Sequence, residues 1–190
     1  MILSHPLILA SRSPRRQDLL RQAGYDFNIV NREVSENFPE TLSAIEAVLF
    51  ITKNKAAAYK DLIKNNIVIC ADTVVVHDKK ILGKPLDKQD AFNMLKILSG
   101  KSHQVITGVV ISGPASTRTF TEETKVVFNN LDDSEIYYYI ENFSPFDKAG
   151  SYGIQEWIGL VGIKEIHGSY FNVVGLPIHR VYHELKAFFT

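Results

Sequence analysis

Apolar positions along the chain change period repeatedly, from short continuous runs to spacings of three and four residues and back. The run Leu7 to Ala10 has the length of a buried strand, and Leu19, Leu20 and Ala23 then mark one face of a helix that Gly24 ends. Residues 25–30 alternate Tyr25, Phe27 and Ile29, which predicts a second strand, and polar residues 31–41 follow as a loop. From residue 42 to about 64, Ile45, Leu49, Ala56, Tyr59 and Ile63 recur near helical spacing around Ala56-Ala57-Ala58, a stretch of high helix propensity. Residues 66–85 predict a long buried strand, a turn at His77 to Lys80 and a short return strand, with Asp72 inside the apolar run.

Residues 87–100 predict a helix with Asp87 as N-cap, Ala91, Met94, Leu95 and Leu98 on one face, and Gly100 as its stop. Residues 103–113 and 117–131 predict a hairpin around Gly113 to Ser116, and residues 132–142 a helix with a capping-type start. A glycine-rich segment at 149–177 has no clear period, and an amphipathic helix closes the chain from Ile178. Helices and strands thus interleave from end to end without a repeat or an evident linker. The pattern predicts α/β architecture and one domain over residues 1–190.

Composition narrows the function classes. With 45% hydrophobic and 22% charged residues, the 190-residue chain is ordinary globular material with a sizeable core. Twenty-one Lys and Arg balance twenty-one Asp and Glu, so no global basic field favours a nucleic-acid or membrane partner. Any anion must be held locally. The single cysteine, Cys70, rules out an internal disulfide framework and fits a cytoplasmic location. The N-terminal apolar stretch lacks a basic leader, and no run approaches the roughly 18 residues of a membrane span.

Ser13 and Pro14 make a good N-cap and first helical residue, which puts Arg15 and Arg16 in a first turn where positive charge opposes the helix dipole. A bound phosphate would resolve the conflict, because free backbone N–H groups and guanidiniums would hold it together. Solvated arginines, or a pairing with Asp18, are the plain alternatives. Asp72 is the second anomaly, since a carboxylate in an apolar strand needs a hydrogen-bonded partner or a cation. Lys55 and Lys84 are candidates for neutralising phosphate charge, or else ordinary solvated lysines. Glu36 could join Asp72 on a hard cation such as Mg²⁺, or be a simple loop acid. His179 and His183 share a helix face but lack a third ligand, which favours a structural or surface role.

The blocks LASRSPRRQDLLRQAG, ADTVV, LGKP, LSGKSHQVITGV, DKAGSYGIQ and GSYFNVVGLP, in this order from residue 8 to 177, resemble the Maf family of nucleoside triphosphate pyrophosphatases. The resemblance implies an elongated mixed β-sheet with flanking helices, related to the inosine triphosphatase fold, with two lobes around a nucleotide cleft. It implies hydrolysis of a nucleoside triphosphate to the monophosphate and pyrophosphate with Mg²⁺ or Mn²⁺. By motif, Asp72 matches the family's general base, and Ser11, Arg15 and Arg16 match its phosphate loop. Glu36, Lys55 and Lys84 match its conserved acid and lysines, with Glu36 and Asp72 the metal candidates. Arg15, Thr73 and Gln155 match the positions that track substrate choice, in the combination of the branch acting on dTTP, UTP and related pyrimidine nucleotides. The 7-methyl-GTP branch differs there. Ser35 departs from the family, which commonly has Asp at that position. Family analogy also implies a homodimer, and an association with septum formation leaves a regulatory nucleotide-binding protein as the alternative to an enzyme.

Overall fold

The interleaved pattern is present in a computed structural model that describes residues 2–190. Strand β1 (Leu7–Leu9) leads into helix α1 (Pro14–Gln22) and a brief β2 (Asn28–Ile29). After a long loop come α2 (Ala44–Ala57), β3 (Ile67–His77), β4 (Lys80–Leu82) and α3 (Lys88–Leu98). The hairpin strands β5 (Ser102–Ser112) and β6 (Thr117–Phe128) precede α4 (Asp133–Phe143). The glycine-rich segment carries α5 (Trp157–Gly162), β7 (Ile163–His167) and α6 (Tyr170–Val174), and α7 (Ile178–Leu185) follows.

Seven strands make one mixed sheet in the order β2-β1-β3-β5-β6-β7, with β4 paired to β3. β1 runs parallel to both β2 and β3, whereas β3–β4 and β6–β7 are antiparallel. The chain forms two compact units and passes between them within β3, β5 and β6 and again between Val174 and Gly175. The first comprises residues 1–72, 107–122 and 175–190; the second comprises 73–106 and 123–174.

Local chemistry sets most boundaries. Asp87 accepts the Asp90 N–H at the start of α3, and Asp132 with Glu135 forms a complete capping box on α4. Asp78 and Lys79 both take positive φ (47° and 66°), which suits the twisted two-residue turn between β3 and β4. Two expected elements are shorter than their patterns. β2 covers only two residues because its partner β1 has three, and the pairing is confined to Ile8–Asn28 and Leu9–Ile29. α2 ends at Ala57, not near residue 64, because Tyr59 is drawn into tertiary bonds. Its hydroxyl donates to Val30 O at 3.1 Å and accepts the Arg32 N–H at 2.8 Å, while Arg32 forms a bidentate pair with Asp61.

In the first unit, Ile8, Ala10, Tyr59, Val68 and Cys70 form one apolar cluster. Burial pushes the Cys70 thiol up to about 12, so it is an inert core residue. In the second unit, one face of α3 (Ala91, Leu95, Leu98) packs with Ile136, Tyr139 and Ile140 of α4, and with Phe128 and Tyr152. Among the described residues no helix is long and apolar enough to cross a membrane.

His103 lies within that second core, 2.7 Å from the Tyr152 hydroxyl and edge-on to Phe128. Burial lowers its pKa from 6.5 to about 3, with a smaller contribution from His77. Between these values the unfolded chain binds a proton that the folded chain refuses, so this residue's contribution is full above pH 6.5 and is lost as pH falls toward 3. Urea titrations from pH 7 to 4 should show stability falling by up to about 1.4 kcal/mol per pH unit from this residue. That part of the slope should be absent in His103→Gln.

Candidate functional site

The first turn of α1 is built as the sequence suggests, with Ser13 in extended conformation and Pro14 at the first helical position. The Ser13 side chain makes no capping bond. Ser11 orders the approach to the helix: its buried hydroxyl accepts the Ser13 N–H at 3.2 Å, and its carbonyl accepts from the Gln17 side chain at 3.3 Å. No acidic residue occupies the first turn, and Asp18 pairs with Arg21 at 3.1 Å.

The arginine pair divides in role. Arg15 is half-buried on the first turn. Arg16, also half-buried, uses its fork on backbone, donating from Nε to Gly175 O at 2.7 Å and from Nη1 to Ala71 O at 2.6 Å. Gly175 has φ of 128°, a conformation that side-chain-bearing residues rarely adopt. Burial lowers the Arg16 pKa, and the negative charges of Asp72 and Glu36 work against that lowering.

Asp72 follows Ala71 in β3 with a side chain only 12% exposed. Its partner comes from the last turn of α2, where a cation also suits the helix dipole. Lys55 Nζ lies 2.5 Å from Asp72 Oδ1 and 2.6 Å from Glu36 Oε1, with a side chain 16% exposed. One ammonium therefore bridges the two carboxylates that the sequence singles out. Arg16, Lys55, Asp72 and Glu36 form a single electrostatic cluster in the first unit, and the field of Arg15 reaches Arg16. Ser35, beside Glu36, accepts the Asn37 N–H at 3.2 Å and so shapes the loop.

The other expected site residues belong to the second unit. Thr73 is half-buried in β3, Lys84 is exposed in the loop after β4, and Gln155 is exposed in the turn before α5. His179 is exposed 3.7 Å from Glu122, and His183 stands edge-on to Tyr182, so neither has a metal-site geometry. Sequence reasoning missed the carbonyls of Ala71 and Gly175 that hold Arg16; the glycine in VVGLP was the available signal.

Among the described residues no group of three or more His, Cys, Asp or Glu side chains could hold a metal by itself. Asp72 and Glu36 still suit Mg²⁺ or Mn²⁺, because such hard cations are commonly bound by one or two carboxylates plus substrate phosphates and water.

Together these features define a mixed α/β protein with a cationic helix start beside a lysine-bridged pair of carboxylates. The chain belongs to the Maf family: residues 6–188 match the family described as Maf-like protein. A Bacteroides fragilis (strain YCH46) protein named dTTP/UTP pyrophosphatase is 50% identical over 184 residues, 96% of this chain and 95% of that one. A Flavobacterium psychrophilum protein of the same name is 49% identical over 177 residues, 93% of this chain and 91% of its own. Among solved structures, the Staphylococcus aureus Ham1 protein aligns at 15% identity and a TM-score of 0.49, over 96% of this chain and 98% of that one.

Arg16→Ala should lower unfolding stability by about 2 kcal/mol in urea titration, because it strips charged donors from two backbone carbonyls. Arg16→Lys keeps the charge but cannot reproduce the fork, and should recover less than half of that loss.

Proposed function

We propose that this chain is a nucleoside triphosphate pyrophosphatase acting on dTTP, UTP and related pyrimidine nucleotides, working as one domain over residues 1–190. The observation that carries the reading is the Lys55 bridge between Asp72 and Glu36, in a chain half identical to proteins named dTTP/UTP pyrophosphatase. Membership of the Maf family supports the same reading.

In this reading, water attacks the α-phosphorus, the bond from that phosphorus to the bridging oxygen breaks, and pyrophosphate leaves. Asp72 takes the proton from the attacking water. The reaction develops charge on phosphate oxygens, so stabilisation is mainly electrostatic. Arg15, Arg16 and Lys55 bind phosphate oxygens, and the first turn of α1, with Ser11 before it, offers backbone N–H groups to the same anion; Lys84 is a further phosphate-binding lysine. Arg16 also serves this site by holding Ala71, and with it the strand residue next to Asp72, in place. Asp72 and Glu36 would hold Mg²⁺ or Mn²⁺, which when bound neutralises phosphate charge and lowers the pKa of bound water. Arg15, Thr73 and Gln155 each bear on substrate choice; the Gln155 amide offers both a donor and an acceptor, which suits the imide edge of thymine or uracil. In this reading the enzyme works in the cytoplasm as a homodimer.

Purified protein with Mg²⁺ or Mn²⁺ should convert dTTP and UTP to the monophosphate and pyrophosphate, resolved by ion-exchange chromatography. Tight binding without turnover across both metals would instead make it a regulatory nucleotide-binding protein. Asp72→Asn should lower kcat by about 10²-fold or more through loss of the proton acceptor. Lys55→Met leaves two carboxylates without their shared cation, and should lower both turnover and stability.

A further inference from the structure

Gln155 is exposed, yet the residues on both sides of it are anchored. Ile154 is 4% exposed and belongs to the apolar core of the second unit. Glu156 closes the turn by donating its backbone N–H to Gly153 O at 3.0 Å. Its carboxylate is drawn inward, with a side chain 19% exposed, and its two oxygens have separate partners. Oε2 accepts a short hydrogen bond from the Tyr139 hydroxyl, and Oε1 lies 3.1 Å from Lys148 Nζ. The Tyr139 oxygen in turn accepts the Gly153 N–H at 2.9 Å.

These bonds form a ring: Gly153 to Glu156 through the backbone, Glu156 to Tyr139 through the carboxylate, and Tyr139 back to Gly153. A Cβ at position 153 would stand 2.8–3.0 Å from the Glu156 carboxylate atoms, so any larger residue there would displace the carboxylate from this position. Lys148, with a side chain 9% exposed and 2.7 Å from Asp147, fixes the far side of that carboxylate. Burial and the Glu156 charge hold the Tyr139 phenol protonated well above its ordinary range, so it remains the donor.

Compactness alone does not call for this arrangement, since apolar residues of similar volume often serve a core as well as a buried ion pair does. Its product is a turn with a fixed backbone, which displays one exposed amide. We propose that Glu156 is the positioning residue for Gln155, acting with Tyr139 and Lys148 to make the site choose between pyrimidine bases; this deepens, and rests on, the pyrophosphatase reading. The imide edge of thymine or uracil offers a donor between two acceptors, whereas cytosine offers an acceptor beside an amino donor. A carboxamide presents its donor and acceptor side by side, and a held backbone limits which positions of the base edge that pair can reach, so a loosened turn would blur the difference between the two edges.

Steady-state kinetics of the full chain with Mg²⁺, on dTTP and dCTP, test this alongside thermal melts. Gln155→Ala sets the full loss of preference. Glu156→Ala and Tyr139→Phe should each lower the dTTP/dCTP ratio of kcat/KM about 10-fold, through a higher KM for dTTP with little change in kcat. Glu156→Gln keeps one accepting oxygen for Tyr139 or Lys148 and loses the other bond and the charge, and should fall between Glu156→Ala and the unmodified protein. Tyr139→Phe preserves the ring in the core and so remains informative if Glu156→Ala fails to fold. A ratio within about two-fold of the unmodified protein in Tyr139→Phe, or equal loss on both nucleotides, overturns the positioning role. So does an unmodified protein that turns over both nucleotides without preference. Absence of all turnover in the unmodified protein is a different result, and marks failure of the pyrophosphatase reading itself.

Discussion

A carboxylate on a buried β-strand has to be matched by a positive charge close enough to replace the water it has lost, and Asp72 meets that condition through Lys55. Much of the first unit's local architecture bears on this one contact. α2 ends where Lys55 sits in its last turn, and the loop before α2 brings Glu36 to the same ammonium. Tyr59 and the Arg32–Asp61 pair fix the chain just beyond the helix. Removing the lysine would expose two negative charges to each other in a partly desolvated place, whereas a mispaired surface lysine costs little.

Arg16 adds a second constraint of a different kind. Its two bonds go to carbonyls from distant parts of the chain, Ala71 in β3 and Gly175 before α7. The guanidinium thereby ties the first helix to the strand residue preceding Asp72 and to the segment that begins the last helix. Hydrogen bonds from a charged donor to a carbonyl oxygen are stronger than those from a neutral one. The two arginines, adjacent in the sequence, are therefore unequal in the fold.

Elements whose signals are local were legible in the sequence, and elements defined by distant contacts were not. Asp87, Asp132 and Glu135 mark helix starts through bonds within four residues, and the β3–β4 turn is written in Asp78 and Lys79. The glycine-rich segment showed no period for an equally physical reason. Gly159 lies inside α5, packed so closely on Ile154 O that no side chain fits, and Gly162 closes that helix against Leu131. Glycines selected for close packing look, in sequence, like glycines selected for a loop. For the site, pattern alone identified Asp72 as needing a partner but could not say which, because Lys55 is one lysine among many until α2 is placed. Lys148 stood in a recognised block but gave no sign of being buried; its burial depends on Glu156 and Asp147, which a single charged letter does not disclose.

The balance of charge inside the cluster bears on what it can bind. Arg16 and Lys55 carry two positive charges and Asp72 and Glu36 two negative, so the four cancel before Arg15 is counted. A site neutral in itself holds no strong attraction for a simple ion from a distance, and the whole chain, at zero formal charge, adds no field of its own. Selectivity must then come from contact geometry. In the proposed reading, a phosphate oxygen exchanged for one carboxylate on the Lys55 ammonium keeps that ammonium fully hydrogen-bonded and releases a carboxylate for proton transfer. Such an exchange links occupancy of the phosphate site to the availability of the base, so that Asp72 is set to accept a proton when a nucleotide is there to supply the reaction.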